Sequence, residues 1–70
     1  MRYAVVIEKG ANGFGAYVPD LPGCIAAGKT RGEVVKLIQD AMEFHIEGLK
    51  QDGEPVPKPM SSVEFVEVAA

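Results

Sequence analysis

The sequence predicts an α+β fold, a two-layer sandwich in which one helix packs on one face of a mainly antiparallel sheet. Three observations predict it. Short β-branched and aromatic segments separated by turn residues come first, a long stretch with helical spacing of apolar residues follows, and another short apolar segment comes last. The element order is therefore β-β-β-α-β. With 70 residues, the chain is expected to form a single domain, residues 1–70.

The first two strands are predicted over residues 2–8 and 14–18, where β-branched and aromatic residues are dense. The Asn12-Gly13 pair between them is typical of a two-residue type I′ turn, which requires positive φ at both central positions. The two strands should therefore form an antiparallel hairpin.

A two-residue turn places Ile7 opposite Val18, and cross-strand partners share a face of the sheet. One face is then the core beneath the helix. The other face also receives apolar residues from the last strand and has no helix to cover it. Uncovered apolar area often marks an interaction surface, although scattered apolar residues on a surface are also common. We predict an oligomer or partner surface formed by Ala4, Val6, Tyr17, Val66 and Val68.

A fixed bend is predicted after the hairpin, because two prolines flank an Asp-Leu pair and a glycine follows. A short third strand over residues 24–27 then ends at Gly28. The bend consists of Pro19, Asp20, Leu21, Pro22 and Gly23.

A helix is predicted over residues 31–52, with Thr30 and Glu33 as a capping box at its start and Gly53 just past its end. Its apolar residues form one stripe, as expected for a helix packed on a sheet. An extended proline-rich linker follows, and residues 62–68 form the predicted last strand. The stripe contains Val34, Leu37, Ile38, Ala41, Met42, Ile46 and Leu49.

Composition excludes several classes of protein. The apolar fraction of 47% and the charged fraction of 24% are typical of folded domains. Ten acidic and seven scattered basic residues give a net charge of −3, which disfavours non-specific nucleic-acid binding. No apolar run reaches the ~20 residues of a membrane span, and Met1 leads straight into the first strand without a signal peptide. We expect a cytoplasmic protein.

A domain this small is marginally stable alone and commonly needs a disulfide, a metal or oligomerisation. Cys24 is the single cysteine, so no intrachain disulfide forms. With His45 as the single histidine, a Cys/His zinc cage lacks ligands. Oligomerisation is therefore the expected support, and no cofactor is expected.

No catalytic or metal-binding set is predicted. His45 is favoured as a packing residue over a general base, and Cys24 as a small hydrophobe over a reactive thiol. The acidic residues could in principle gather around Mg²⁺, but their spacing on the helix equally describes a solvated face. The metal candidates in that reading are Glu8, Asp20, Asp40 and Glu43.

The chain resembles the HicB-like antitoxin family in three segments. They are Val-Pro-Asp-Leu-Pro-Gly-Cys at residues 18–24, Gly-Lys-Thr at residues 28–30, and Asp-Gly-Glu-Pro-Val-Pro-Lys-Pro at residues 52–59. The order of elements in the family matches the order predicted above, and the resemblance covers nearly the whole chain. The implied fold is a partial, degenerate ribonuclease-H-like domain.

The resemblance implies a type II antitoxin that binds a small basic HicA-like mRNA-cleaving toxin and masks its RNA site, as a homodimer or homotetramer. Many relatives continue into a C-terminal DNA-binding domain that these 70 residues lack, so no direct DNA binding is expected. Asp20 could face the toxin or stabilise its own turn. The alternatives are a stand-alone oligomeric interaction module that has lost its toxin, and a residual metal-dependent nuclease.

Overall fold

A three-stranded antiparallel sheet is followed by one helix that packs on it. The strand order is β1-β2-β3, and the helix packs against β2 and β3. This confirms an α+β fold. The computed structural model describes residues 1–69, with β1 at Val6–Lys9, β2 at Phe14–Tyr17, β3 at Ile25–Gly28 and α1 at Arg31–Gln51.

The register between β1 and β2 differs from the predicted one by two residues. Ile7 lies opposite Ala16 and not opposite Val18. Side chains alternate between faces along a strand, so a shift of two residues leaves each of them on its predicted face. Ala16 and Val18 are buried on the helix side of the sheet, and the half-buried side chains that pack against this core include Tyr3, Val5, Ile7 and Phe14.

The hairpin connection explains the shift. It spans residues 10–13 and closes with a hydrogen bond of 2.7 Å from the Gly10 amide to the Gly13 carbonyl. Within residues 1–69 no non-glycine residue has a positive φ, so Asn12 does not adopt the predicted type I′ geometry. A Cβ at Gly13 would lie 2.5 Å from the Gly28 carbonyl oxygen. Gly13 therefore lies too close to the end of β3 to accommodate a side chain, and no two-residue signal could reveal that contact.

Both ends of α1 are capped by local hydrogen bonds. The Thr30 hydroxyl accepts from the Glu33 amide at 3.1 Å. The Glu33 carboxylate accepts no hydrogen bond from the Thr30 amide, so only one of the two hydrogen bonds of the predicted capping box forms. At the other end the amides of Gly53 and Glu54 donate to carbonyls of the last helical turn, at 3.1 and 2.9 Å. This pair of bonds is the Schellman arrangement, which satisfies carbonyls that the helix itself leaves free.

Residues 62–68 do not form the predicted last strand. From residue 54 to residue 69 the chain has no helix or strand, and residues 61–69 are exposed. The preceding linker is held, since the Tyr3 hydroxyl donates to the Pro57 carbonyl at 2.5 Å. Beyond Ser61 the backbone has no hydrogen-bonding neighbour within the described residues. An alternating sequence gives a segment the capacity to pair, but a strand forms only when an aligned edge lies against it. Residues 62–69 are called the C-terminal segment below.

Candidate functional site

Two consecutive turns form the bend between β2 and β3. The Leu21 amide donates to the Val18 carbonyl at 3.1 Å, and the Cys24 amide donates to the Leu21 carbonyl at 3.0 Å. Pro19 and Pro22 occupy the second position of each turn, where the proline ring fixes the φ that the turn requires. The predicted bend residues therefore act as a repeated turn with Leu21 shared between its two halves.

The side chain of Leu21 is fully buried, with 0% exposure, and anchors the bend in the core. Gly23 occupies the third position of the second turn with φ +85°, a conformation that strongly favours glycine. The second turn of the bend is thus fixed at its first position by the burial of Leu21 and at its third position by the backbone conformation of Gly23. The bend can hold a polar side chain in a defined place.

Asp20 is that side chain. Its Oδ2 accepts hydrogen bonds from the Met60 and Ser61 amides, both at 2.8 Å, and its Oδ1 accepts from the Ser61 hydroxyl at 2.9 Å. The Ser61 amide, followed by the Met60 amide, lowers the pKa of Asp20 because both bonds favour the ionised carboxylate. The carboxylate makes no hydrogen bond within its own turn. Instead it joins the bend to Met60 and Ser61, directly before the C-terminal segment, in a contact between residues 40 apart that sequence reasoning missed.

An apolar row crosses the sheet face that the helix leaves open. Val6 lies opposite Tyr17, and Tyr17 lies opposite Ile25 on the next strand. Tyr17 is 41% exposed and Ile25 is 71% exposed. Ile25 was missing from the predicted surface, although its position directly after a buried cysteine indicates an outward side chain. The row is called the outer sheet row below.

The other predicted members of this surface are not all brought together. Ala4 lies two residues before the start of β1 and is half-buried. Val66 and Val68 are exposed, but they lie in the C-terminal segment, which forms no strand beside the row. Of the predicted surface, the single chain therefore brings together Val6 and Tyr17 on the sheet, while Val66 and Val68 lie outside it.

Charge is distributed unevenly along the chain. Residues 1–39 contain five basic and three acidic residues, a net charge of +2, whereas residues 40–70 contain two basic and seven acidic residues, a net charge of −5. The second half of α1 therefore lies in a strongly acidic part of the chain, even though the whole chain carries only −3.

An exposed aromatic ring lies in this acidic part of α1. Phe44 is 83% exposed, with Asp40 one helical turn before it and Glu47 nearly one turn after it. Asp40 also makes an exposed ion pair with Lys36 at 3.2 Å. An aromatic anchor surrounded by charges is typical of a protein-binding surface. We call Asp40, Glu43, Phe44 and Glu47 the acidic helix surface. The sequence interpretation treated its carboxylates as a solvated face and overlooked Phe44, whose position off the apolar stripe was the available signal.

The remaining candidates have structural surroundings. Cys24 is buried, and burial raises the pKa of its thiol, so it packs as a small hydrophobe. His45 is half-buried on α1. Within residues 1–69 no three His, Cys, Asp or Glu side chains gather in a way that could hold a metal ion. In the same range, no helix has the length and apolar character needed to cross a membrane.

Comparison with known proteins identifies the family. The family model for the HicB-like antitoxin of bacterial toxin–antitoxin systems matches residues 3–69. A 14.9 kDa protein from the rep-hol intergenic region of Haemophilus phage HP1 is 45% identical over 58 residues, which cover 83% of this chain and 44% of the phage protein. Antitoxin HicB 2 of Photorhabdus laumondii is 35% identical over 71 residues, covering 100% of this chain and 51% of that antitoxin. The chain thus spans about half the length of these two relatives.

A solved structure agrees with the sequence matches. A chain in the HicA3 and HicB3 toxin–antitoxin complex superimposes with a TM-score of 0.73 at 38% identity, covering 86% of this chain and 70% of that one. The family is one of antitoxins. Since the family model matches nearly every residue that the structure describes, the chain belongs to the HicB-like antitoxin family of bacterial toxin–antitoxin systems.

Proposed function

We propose that this chain is a type II antitoxin that acts in the cytoplasm by binding a small basic HicA-like mRNA-cleaving toxin and masking its RNA site. The observation that carries the proposal is the likeness, at a TM-score of 0.73 and 38% identity, to a chain of the HicA3 and HicB3 toxin–antitoxin complex. Family membership supports the same role.

The acidic helix surface is the part of this chain that we assign to the toxin. A protein that cleaves RNA needs Lys and Arg side chains to hold the phosphates. Carboxylates at Asp40, Glu43 and Glu47 would compete for those same cations, and opposite charges accelerate and orient association. Phe44 supplies an apolar anchor, because its ring loses most of its exposure when a partner covers it. Neutralisation then results from steric occlusion and requires no catalytic residue on the antitoxin.

Co-expression tests this role. A HicA-like toxin expressed alone should stop growth, and the wild-type chain should restore growth and co-purify with the toxin. Glu43→Lys combined with Glu47→Lys should abolish the rescue, because two repulsive charges replace two attractive ones. Glu64→Lys combined with Glu67→Lys is the matched control, since it makes the same charge change in the C-terminal segment and should preserve rescue. A wild-type chain that neither rescues growth nor forms a complex contradicts the antitoxin role.

We also propose that the protein is a homodimer or homotetramer, with the outer sheet row and Ala4 in the interface. Exposed Tyr17 and Ile25 beside Val6 form an apolar strip on a sheet face that no helix covers, which supports this proposal. Lysine at both Val6 and Tyr17 should dissociate the assembly in light scattering at micromolar concentration. An unchanged mass would show that this face lies outside the interface.

The exposed row also supports the second candidate function, a stand-alone oligomeric interaction module without a toxin. The two candidates differ in the rescue experiment. An oligomer that forms normally but fails to bind or neutralise any HicA-like toxin supports the module, whereas growth rescue supports the antitoxin.

A further inference from the structure

The C-terminal segment has the sequence of a strand without the surroundings of one. Ser-Val-Glu-Phe-Val-Glu-Val at residues 62–68 is rich in β-branched and aromatic residues. Phe65 is 92% exposed, and Val66 and Val68 are almost as exposed. No hydrogen bond joins the backbone of residues 62–69 to another described element. The segment therefore has strand-forming residues but pairs with no strand.

The outer edge of β1 is a strand edge with no strand beside it. In the described chain β1 is hydrogen-bonded to β2 alone, so the amides and carbonyls of its other edge have no strand partner. A cleft of about 320 Å³ separates this edge from Val63 and Phe65. The cleft is lined on its other sides by apolar side chains of the hairpin, by Arg31 and by Lys9. The segment therefore runs near its own β1 without closing onto it.

Asp20 fixes where the segment begins. Its three hydrogen bonds hold Met60 and Ser61 against the bend, while nothing holds the residues that follow. A second cleft, of about 370 Å³, is lined by Ser61 and Ser62 together with Arg2 and Tyr3, which precede β1 by a few residues. The free part of the segment therefore starts at the end of the sheet where the unpaired β1 edge starts. The β3 edge lies on the far side of the sheet.

We propose that residues 62–68 pair with the β1 edge of a second copy of this chain, and that the second copy returns its own segment to the first. A single chain carries both the unpaired C-terminal segment and the unpaired β1 edge. A reciprocal exchange between two copies pairs both of them, with two-fold symmetry. The shape agrees with this. The radius of gyration is 13.7 Å, against about 11 Å expected for a compact domain of this length, and the longest dimension is 48 Å.

The acidic residues of the segment favour a closed exchange over open-ended addition. Glu64 and Glu67 interrupt its apolar residues. Charged side chains on an exposed strand discourage stacking of further copies. The exchange also explains why a residue in the bend should hold Ser61, since a fixed starting point limits where the exchanged strand can lie.

This inference rests on the homo-oligomer part of the proposed function and not on the toxin. The first test compares two exposed phenylalanines by light scattering at micromolar concentration. Phe65→Glu should halve the mass of a dimer, because a charge would enter the paired strand, whereas Phe44→Glu should leave the mass unchanged. Both rings are more than 80% exposed, so both variants should keep the wild-type helical circular dichroism. A Phe65→Glu protein with wild-type mass overturns the exchange.

The second test asks which β1 edge the segment meets. A variant with Val6→Cys is mixed with a variant with Val66→Cys, and a short thiol crosslinker is added. The mixture should yield crosslinked heterodimers joined between positions 6 and 66. Wild-type protein is the control for Cys24, which is buried and should give no crosslink. If the protein carrying both substitutions crosslinks only within single chains, the segment pairs with its own β1 and the exchange is overturned.

The light-scattering and crosslinking results distinguish strand exchange from an oligomer built through the outer sheet row. Dissociation by lysine at Val6 and Tyr17, together with an intact oligomer for Phe65→Glu, supports a face-to-face oligomer and contradicts the exchange. Dissociation by Phe65→Glu together with 6-to-66 crosslinks between chains supports the exchange, whatever the toxin experiments show.

Discussion

The packed domain from β1 to the end of α1 and the C-terminal segment have similar kinds of residues but opposite surroundings. Among residues 1–69, the six buried residues all lie between Ala16 and Ile38, whereas residues 61–69 are exposed. Turns, caps and a two-layer core decide the conformation of the packed domain within one chain. The segment has strand-forming residues and no neighbour. The difference shows that strand propensity alone gives no strand, because a segment also needs an aligned edge beside it.

The largest expected effect lies at the centre of the packed domain. Leu21→Ala should lower the free energy of unfolding by about 2–5 kcal/mol, because it leaves a cavity beneath the bend. Leu37→Ala is the matched control, since Leu37 is 39% exposed and should lose much less. Urea denaturation followed by circular dichroism measures both. Equal losses would show that the bend is not anchored through Leu21.

Alanine substitutions at two glycines should change the stability of the packed domain in opposite directions. Gly23→Ala should destabilise by roughly 1–2 kcal/mol, since Gly23 has φ +85° and alanine is strained there. Gly32→Ala should stabilise by up to about 1 kcal/mol, because Gly32 lies in the first turn of α1 with open space around it. Thermal unfolding of the two variants gives the signs. Shifts of the same sign would contradict the assigned turn conformation.

The helix cap should have a smaller effect. Thr30→Ala removes the hydroxyl that accepts from the Glu33 amide and should cost about 1 kcal/mol. Thr30→Ser keeps the acceptor and should retain most of the stability. Urea denaturation of the pair measures the difference. An alanine variant as stable as the serine variant would mean that this hydrogen bond contributes nothing.

The smallest effect on global stability should come from the Asp20 contact, which lies at the surface and outside the buried core. The folded-state pKa of Asp20 lies below its ordinary value of 3.8, so the contact contributes fully above that value and is lost as the pH falls through the folded-state pKa. Amide signals of Met60 and Ser61 in NMR should therefore shift only at pH values below the ordinary carboxyl pKa of 3.8. Asp20→Asn should shift the same signals at neutral pH with little change in the signals of β2. Titration of these amides near neutral pH would contradict the contact.

Much of the packed domain could be predicted because its signals are local. The helix bounds follow from Thr30, the apolar stripe and Gly53, and the bend follows from two prolines and Gly23. The predicted register is wrong by two residues, but the assignment of each side chain to a face of the sheet is still correct, because side chains alternate along a strand with a period of two. The register itself follows the loop of residues 10–13, in which Gly13 lies against Gly28, a contact that no local pattern reveals.

The features missed in the candidate site involve long-range or surface context. Asp20 binds residues that lie 40 positions away, so its role could not be read from the turn that contains it. Phe44 and Ile25 are exposed apolar residues, and a sequence pattern identifies such residues only when the buried stripe is already known. The predicted last strand needed an aligned edge that the single chain does not place against it.

The measurement that tests the antitoxin role most directly is RNA cleavage by a purified HicA-like toxin, titrated with this chain. The expected result is a loss of cleavage that saturates at a fixed stoichiometry, with Glu43→Lys/Glu47→Lys inhibiting much less than Glu64→Lys/Glu67→Lys. Toxin that cleaves RNA at an undiminished rate in the presence of excess wild-type chain would contradict the account.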